Sequence, residues 1–520
     1  MPYSVPLLLC AALFNALVLH AQPAIDWQHN YGGSLQDRGY SIAPTADGGY
    51  VILGETRSSD GMVVGFHGGP LYDLWVLKLD AVGNIEWQRC LGSSESETPG
   101  TIAQTPDGGY ILVGNAGTVA GDVSESLGNG DIWLVRLTAD GSILWDRAFG
   151  GTDLDLGVEV AAMADGTYIV LGTVYSMDLD ASDNHGAGDM WLGHVDTNGI
   201  LLQSRCYGGN GTDVGRTMRS YPDGVVVFGG VTNSNDGDVT GNPEEGNEAW
   251  VVYLANGWDI SWQTVLGGAG DDQARGLYRA TGDTVLVAVS SNSQNGDVSA
   301  PWGDVDYWIV KLGLDGSLLN QRSFGGSGQD VPSAIVPSGS PNMFYVSGRS
   351  SSTDGLISAP NGATDCWTVC LNYDLDMVWE KSYGGSQGDG GNSLCLAPDG
   401  GLVIGGYSLS NDIDLGGNFG LSDLWVVKLE PEDVGVEEAG SASGLRVFPN
   451  PATEQLSINW EDEAWSITVY DAQGKLVASV ERLAAGQRQA QLNVVPWADG
   501  LYTIRLYAAG TLQVQRFAKQ

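Results

Sequence analysis

Seven tryptophans divide most of the sequence into units of nearly constant length. Each lies in a copy of the segment Asp73-Leu-Trp-Val-Leu-Lys-Leu79, and successive copies are 58, 58, 59, 58, 59 and 58 residues apart. The tryptophans are Trp75, Trp133, Trp191, Trp250, Trp308, Trp367 and Trp425. A period this regular indicates that each copy is one structural unit stacked against the next.

Every unit contains short apolar runs separated by turn residues. In the first unit four runs begin at Gly39, Gly49, Leu74 and Asn84, and an Asp-Gly-Gly turn joins the first two. Such turns are typical of β-hairpins. With 76 glycines, only 17% charged residues and no helical periodicity, the chain is predicted to be all-β. Four strands that are apolar on both faces describe a propeller blade packed between neighbours.

The two ends of the repeat region complement each other. The seventh unit stops at Leu429 without a fourth run, and a surplus run, Ile25-Asp-Trp-Gln28, precedes the first unit. We therefore predict a seven-bladed β-propeller of four-stranded blades, in which the N-terminal strand pairs with the Trp425 strand and closes the last blade. Closure removes the sheet edges that would otherwise invite aggregation.

Three short elements resemble the repeats of secreted bacterial β-propellers: Asp47-Gly-Gly-Tyr50, Asp73-x-Trp75 and Leu79-Asp-x-x-Gly-x-Ile-x-Trp-Gln88. The element from Asp80 to Trp87 is also similar to the tryptophan-docking motif of quinoprotein propellers. We interpret the seven repeat tryptophans as packing between blades. The alternative is a ring of aromatic side chains that binds a ligand.

The charge is strongly negative and unevenly placed. The formal net charge is -40, whereas the tail from Leu445 onward has seven basic and seven acidic residues. A field of this sign repels phosphate backbones and anionic lipid, which argues against nucleic-acid and membrane-surface binding. Divalent cations and basic partners are the counterparts that this charge favours.

One carboxylate occupies the same position in every unit, just after the Gly-Gly or equivalent turn that follows a fourth strand. The set, here called the acidic ring, is Asp37, Glu97, Asp155, Asp213, Asp272, Asp330 and Asp389. These residues lead into the innermost strands, so we expect them near the central channel. Each carboxylate either accepts backbone N-H groups of its own turn or contributes to a cation or ligand site at the channel mouth.

The loops between second and third strands contain a second acidic pattern. Oxygen-bearing residues recur at positions 1, 3, 5 and 12, the spacing with which one loop supplies oxygens to calcium. The candidate ligands are Asp178, Asp180, Ser182 and Asp189; Asp236, Asp238, Thr240 and Glu248; Asn295, Asp297, Ser299 and Asp306; and Asp412, Asp414 and Asp423. Calcium is the cofactor that this pattern predicts. Plain polar turns are the alternative.

The segments outside the repeats predict export. Residues 5 to 19 are mostly apolar and lead into Leu19-His20-Ala21, which indicates a signal peptide over residues 1–21. No other segment is long and apolar enough to span a bilayer. The propeller is expected over residues 22–430, and the acidic, Gly- and Ser-containing stretch 431–444 is expected to be a flexible linker.

The tail, residues 445–520, carries motifs in a fixed order: Pro449, Asn450 and Pro451, then Gly474 and Lys475, then Gly500 and Tyr502, and finally Lys519. These closely resemble the type A sorting domain of the type IX secretion system. The resemblance implies a small Ig-like β-sandwich, the outer-membrane translocon as a partner, and a mature protein that is secreted or displayed on the cell surface.

The function expected is that of a binding or adhesion module for an extracellular glycan or protein, without catalytic activity. The sequence contains no HExxH or phosphate-loop motif. Two alternatives stay open. One is an enzyme, either a quinone-dependent dehydrogenase or a glycan-cleaving enzyme with two carboxylates at the channel mouth; the other is a structural spacer.

Overall fold

The computed structural model divides the chain into two compact units, Met1–Glu432 and Asp433–Gln520. It describes residues 22–69, 71–242, 246–255, 257–280, 284–340, 342–431, 445–449, 451–460, 464–470, 476–480, 483, 486–498, 500–508 and 511–519. The predicted signal peptide and residues 432–444 of the predicted linker lie outside these ranges. No helix among the described residues is long and apolar enough to cross a membrane.

Strands numbered along the chain form seven four-stranded antiparallel sheets in the first unit. Blades 1 to 3 consist of β2 (Asp37–Pro44), β3 (Tyr50–Thr56), β4 (Asp73–Leu79) and β5 (Ile85–Leu91); β6 (Thr98–Gln104), β7 (Tyr110–Ala116), β8 (Asp131–Leu137) and β9 (Ile143–Phe149); β10 (Asp155–Ala162), β11 (Tyr168–Val174), β12 (Asp189–Val195) and β13 (Leu201–Tyr207).

The remaining four blades repeat this order, except that the last takes its outer strand from the N-terminus. They consist of β14 (Asp213–Ser220), β15 (Val226–Thr232), β16 (Glu248–Leu254) and β17 (Trp262–Leu266); β18 (Asp272–Ala280), β19 (Thr284–Ser291), β20 (Asp306–Gly313) and β21 (Leu318–Phe324); β22 (Asp330–Pro337), β23 (Met343–Ser350), β24 (Asp365–Asn372) and β25 (Met377–Tyr383); β26 (Asp389–Leu396), β27 (Leu402–Ser408), β28 (Asp423–Leu429) and β1 (Ile25–Tyr31).

The N-terminal strand completes the seventh blade. Strand β1 runs antiparallel to β28, with Ile25 opposite Leu429 and Asn30 opposite Trp425. The first strands of successive blades contact each other from β2 through β26, and β26 contacts β2. These seven strands therefore form a closed inner ring, and the predicted seven-bladed propeller with an N-terminal closing strand is confirmed.

The repeat tryptophans pack inside the blades. All seven are fully buried. In most blades the indole N-H donates to a side chain of the fourth strand, as from Trp75 to Gln88 Oε1 at 2.9 Å. In blade 7 Trp425 donates to Gln28 Oε1 at 3.1 Å, so the N-terminal strand supplies the acceptor that β5 supplies in blade 1. The tryptophans therefore fill the core and bind the third strand to the fourth.

The second unit is a small β-sandwich. One sheet contains β29 (Arg446–Phe448), β30 (Gln455–Asn459) and β33 (Gln489–Asn493), and the other contains β31 (Ala464–Tyr470), β32 (Leu476–Val480), β34 (Gly500–Ala508) and β35 (Thr511–Lys519). Both sheets contribute to one apolar core, for example through Leu456, Ile458, Ile467 and Ile504. The small C-terminal β domain is as predicted.

Candidate functional site

The residues of the acidic ring are buried, and their carboxylates accept hydrogen bonds from the turns between strands. All seven carboxylate side chains belong to residues with no exposed surface. Each of the six aspartates accepts the N-H of the residue four positions earlier, such as Gly209 for Asp213 at 2.8 Å. Each also accepts a serine hydroxyl that follows the second strand, such as Ser234 at 2.8 Å. The carboxylate thus joins the connection between blades to two strands of its own blade.

Blade 2 keeps this arrangement with different residues. A serine, Ser93, replaces the second glycine of the turn, and the longer Glu97 accepts its hydroxyl at 2.6 Å. In every blade the acidic-ring carboxylate therefore accepts hydrogen bonds within its own turn, which is the first of the two alternatives that the sequence leaves open. They lie at the entrance to the inner strands, but in the described structure they present no carboxylate surface to solvent.

A second buried carboxylate faces each ring member from the preceding blade. These residues start the third strands, and the set is Asp73, Asp131, Asp189, Glu248, Asp306, Asp365 and Asp423. Between Asp189 and Asp213 lies Gly208, where an added Cβ would collide with both carboxylates. The structure therefore brings together two sets of residues that the sequence analysis treated separately.

Burial and a neighbouring carboxylate both raise the pKa of several of these residues. Burial raises the pKa of Glu97 to about 7, and the charge of Asp73 adds to the rise. Burial likewise raises the pKa of Asp423 to about 7, with a contribution from Asp37, and that of Asp306 to about 6, with a contribution from Asp330. The charged forms are disfavoured because these sites are desolvated and their neighbours are negative.

We expect the propeller to become less stable as pH rises from about 5 to about 8 in buffer containing a chelator. A carboxyl whose pKa is higher in the folded than in the unfolded chain adds stability below its unfolded value, and that stability is lost as pH rises through the folded value. For Glu97, Asp306 and Asp423 this window lies between about pH 4 and about pH 7. Thermal melting at constant ionic strength measures the effect.

Glu97→Gln is the matched control for that experiment, because an amide cannot bind the proton. The variant should show a shallower dependence of melting temperature on pH than the wild type. A melting temperature that stays constant or increases from about pH 5 to about pH 8 would contradict the assignment of these raised pKa values.

The side chains at the proposed calcium-binding positions accept hydrogen bonds from different backbone N-H groups. At position 1, Asp178 Oδ1 accepts the N-H of Thr152 at 2.9 Å. At position 12, Asp189 Oδ2 accepts the N-H of His185 at 2.9 Å. The first positions of the other loops do the same, since Asp236, Asn295 and Asp412 accept from Asn210, Ala269 and Ser386. At the last position, Asp306 and Asp423 accept from Trp302 and Phe419.

The intermediate positions are also engaged in these turns. Asp297 and Asp414 accept N-H groups of Gly267 and Gly384 at 3.3 Å, and Asp238 pairs with Arg205 at 3.3 Å. Within the described ranges no group of three or more His, Cys, Asp or Glu side chains is arranged to hold a metal ion. Calcium binding by these loops stays a prediction. Melting curves recorded with excess calcium and with chelator test it.

A feature absent from the sequence analysis lies on the inner ring. Each first strand contains a β-bulge two or three residues after its start, opposite the second strand. The bulged residues are Tyr40, Gly100 and Thr101, Val158, Arg216, Arg275, Ser333 and Asn392. None of them is buried. A bulge re-aims a side chain, so the blades present different chemistry at this place on the inner ring.

Comparison of the seven units could have located this ring of bulge residues. The position three residues after each acidic-ring aspartate holds Tyr40, Val158, Arg216, Arg275, Ser333 or Asn392, whereas the position before it holds only Gly, Ala or Pro and the position two residues after it is always apolar. Variation at an inner position within the repeat marks a place where the blades differ in surface.

A hollow of about 440 Å³ lies among the turns that join first and second strands of blades 1 to 4. Its lining includes Ala46, Pro106, Met163 and Tyr221. This surface belongs to the opposite ends of the strands from the acidic ring, because the acidic ring lies where the first strands begin. The propeller therefore has two distinct surface features. The bulge residues of the inner ring differ between blades, and a partly apolar hollow lies at the ends of the strands opposite the acidic ring.

The motif residues of the tail come together in the sandwich. Gly500 lies opposite Lys519, and Tyr502 lies opposite Phe517, across β34 and β35. The Tyr502 hydroxyl donates to Ala498 O at 2.7 Å. Pro449 and Pro451 lie between β29 and β30, and the adjoining Ala452 N-H donates to Ala518 O at 2.8 Å. The predicted motif residues Asn450, Gly474 and Lys475 lie outside the described residues.

Residues 446–520 match the family model described as a secretion system C-terminal sorting domain. This domain implies export of the chain to the cell surface or secretion by the type IX system, as predicted. The regulatory protein FlaEY of Caulobacter vibrioides is 26% identical over 178 residues, a match that covers 32% of this chain and 19% of that protein. The chain thus spans about a fifth of that relative's length.

Several solved structures align with most of this chain at low sequence identity. BBS1N in complex with ARL6DN aligns with 9% identity and a TM-score of 0.41, covering 78% of this chain and 96% of that one. YCF48 bound to D1 peptide aligns with 10% identity and a TM-score of 0.40, covering 79% and 99%. A member of the DUF4221 family from Bacteroides vulgatus aligns with 10% identity and a TM-score of 0.34, covering 79% and 98%.

Proposed function

We propose that this exported propeller is a binding module whose ligand contacts the varied residues of the channel wall. The observation that carries the proposal is the contrast between two sets of positions. The repeated carboxylates and tryptophans are buried in hydrogen bonds and packing, whereas the bulge residues keep exposed surface and differ from blade to blade. Selective recognition requires an asymmetric surface, and the bulge residues give the inner ring such asymmetry.

We further propose that the chain acts without catalysis. A glycan-cleaving enzyme requires two carboxylates with different environments, one of them reaching the substrate. Here the paired carboxylates recur at every blade junction and are buried, as for Asp189 and Asp213 or Asp306 and Asp330. Their hydrogen bonds to turns support a structural role. The ligand class expected is an extracellular glycan or protein.

A glycan and protein array probed with the purified propeller tests the binding function. The variant Ser333→Tyr should reduce the affinity for any array ligand by roughly tenfold or more, because the larger side chain projects into the channel. Blade 1 already carries Tyr40 at the equivalent bulge, so the scaffold accommodates the residue.

Leu144→Tyr is the matched control, since Leu144 is 57% exposed on a fourth strand. It should bind as the wild type does. An array without any ligand for the wild type, or equal loss in both variants, would contradict a channel-binding function and favour a structural spacer.

Removing residues 445–520 should retain the chain in the periplasm of a bacterium that has a type IX system. The reason is that the sorting domain occupies this segment. Fractionation and immunoblotting compare the truncated chain with the full-length chain. Normal export of the truncated form would contradict the assignment.

A further inference from the structure

Three arginines on adjacent blades differ from every other basic side chain of the propeller. Within its described part, each of the other lysines and arginines forms an ion pair with a carboxylate or lies over an aromatic ring. Arg216, Arg275 and Arg349 do neither. In a chain with 23 basic and 63 acidic residues, three basic groups with neither a carboxylate nor an aromatic partner are unexpected.

The three arginines lie on adjacent blades, at or beside first strands that contact one another in the inner ring. Arg216 and Arg275 are the bulged residues of the first strands in blades 4 and 5. Arg349 lies opposite Val331, next to the first strand of blade 6. The pKa of Arg275 is lowered to about 10, chiefly by burial and further by the charges of Arg216 and Arg349. Their positive charges therefore reach each other.

Arg275 is also incompletely satisfied. Its Nη2 donates to Gln273 Oε1 at 2.9 Å, but its Nε lies buried without a hydrogen-bond partner among the described residues. A guanidinium that keeps a free donor beside two like charges destabilises the fold. A negatively charged ligand group would satisfy the donor and neutralise the repulsion.

We propose that Arg216, Arg275 and Arg349 form a binding site for an oxyanion in the channel, such as the carboxylate or sulfate group of an acidic glycan. Guanidinium groups suit this ligand because their N-H donors match the oxygens of carboxylate, sulfate and phosphate in paired geometry. The inference rests on the proposed binding function and specifies the chemistry of its ligand. The negative charge of the chain repels anions, so an anion binds here only through direct contacts with the arginines.

Isothermal titration of the purified full chain with sodium sulfate, and separately with sodium glucuronate, tests the site at constant ionic strength. At least one of the two anions should bind the wild type. Sulfate binding alone indicates an ester-type anion, and glucuronate binding alone indicates a carboxylate. Arg275→Gln should weaken the binding by roughly tenfold or more, and Arg216→Gln, which alters an exposed side chain, should weaken it in the same direction.

Arg147→Gln is the matched control, because Arg147 lies over the ring of Trp145 on an outer strand. This variant should bind the anion as the wild type does. Failure of both anions to bind the wild type, or wild-type affinity in both Arg275→Gln and Arg216→Gln, would overturn the proposal. An array ligand that neither anion displaces would also overturn it while leaving the binding function intact.

Melting without added anion gives an independent readout. Arg275→Gln should raise the melting temperature, because it removes a partly buried charge that faces two like charges. An arginine with a purely structural role would lower the melting temperature when replaced. A decrease together with unchanged anion binding would contradict the site.

Discussion

Deletion of residues 22–31 should abolish the cooperative unfolding transition of the propeller or lower its stability by about 5 kcal/mol or more. The deletion removes β1, leaves the whole edge of β28 unpaired and deprives Trp425 of its acceptor Gln28. It also removes Tyr31, which is buried and donates to Gly83 O of blade 1 at 2.5 Å. Circular dichroism during thermal and urea unfolding measures the change.

A circular permutant provides the matched control. Its chain begins at Gly32, and residues 25–31 follow Leu429 through a copy of the turn 80–84 that joins β4 to β5 in blade 1. Because Ile25 already lies opposite Leu429, this turn should restore an ordinary hairpin and most of the stability. Unfolding of the deletion variant that matches the wild type would show that the strand does not close the ring.

Asp389→Ala should destabilise the propeller by about 3 kcal/mol or more. Asp389 accepts the N-H of Gly385 and the hydroxyl of Ser410, both at 2.7 Å, as well as the N-H of Leu409 at 3.2 Å. The side chain is fully buried, so the substitution leaves several donors without an acceptor. Urea unfolding measures the free-energy difference.

Asp304→Ala is the control, since Asp304 is exposed in a loop. It should change the free energy of unfolding by less than about 0.5 kcal/mol. A loss below about 1 kcal/mol for Asp389→Ala would mean that the acidic ring is dispensable for the fold and is kept for another role.

The sequence was sufficient to predict the ring because its signals are local and repeated. Tryptophan spacing sets the number of blades, and the missing fourth run after Leu429 matches the surplus run at Ile25. Strand pairing then follows from the preference for complete sheets. The strand order β1, β28, β27, β26 shows the result.

The carboxylate pairs could not be predicted in the same way. Asp189 and Asp213 belong to different blades, and only the packing of one blade on the next places them around Gly208. The spacing of Asp178 and Asp189 fits a calcium loop equally well, but it contains no information about the N-H groups that each carboxylate accepts. The bulges are also invisible to strand patterning, because the extra residue shifts pairing without changing apolar composition.

Zero-length carbodiimide cross-linking tests ring closure most directly. Lys428 Nζ lies 2.6 Å from Asp26 Oδ2 and 2.7 Å from Asp399 Oδ2. In dilute monomer, closure predicts two cross-linked peptides after digestion, one joining Lys428 to Asp26 across the two ends of the propeller and one joining Lys428 to Asp399 within blade 7. Recovery of the Asp399 product alone would contradict the closed ring.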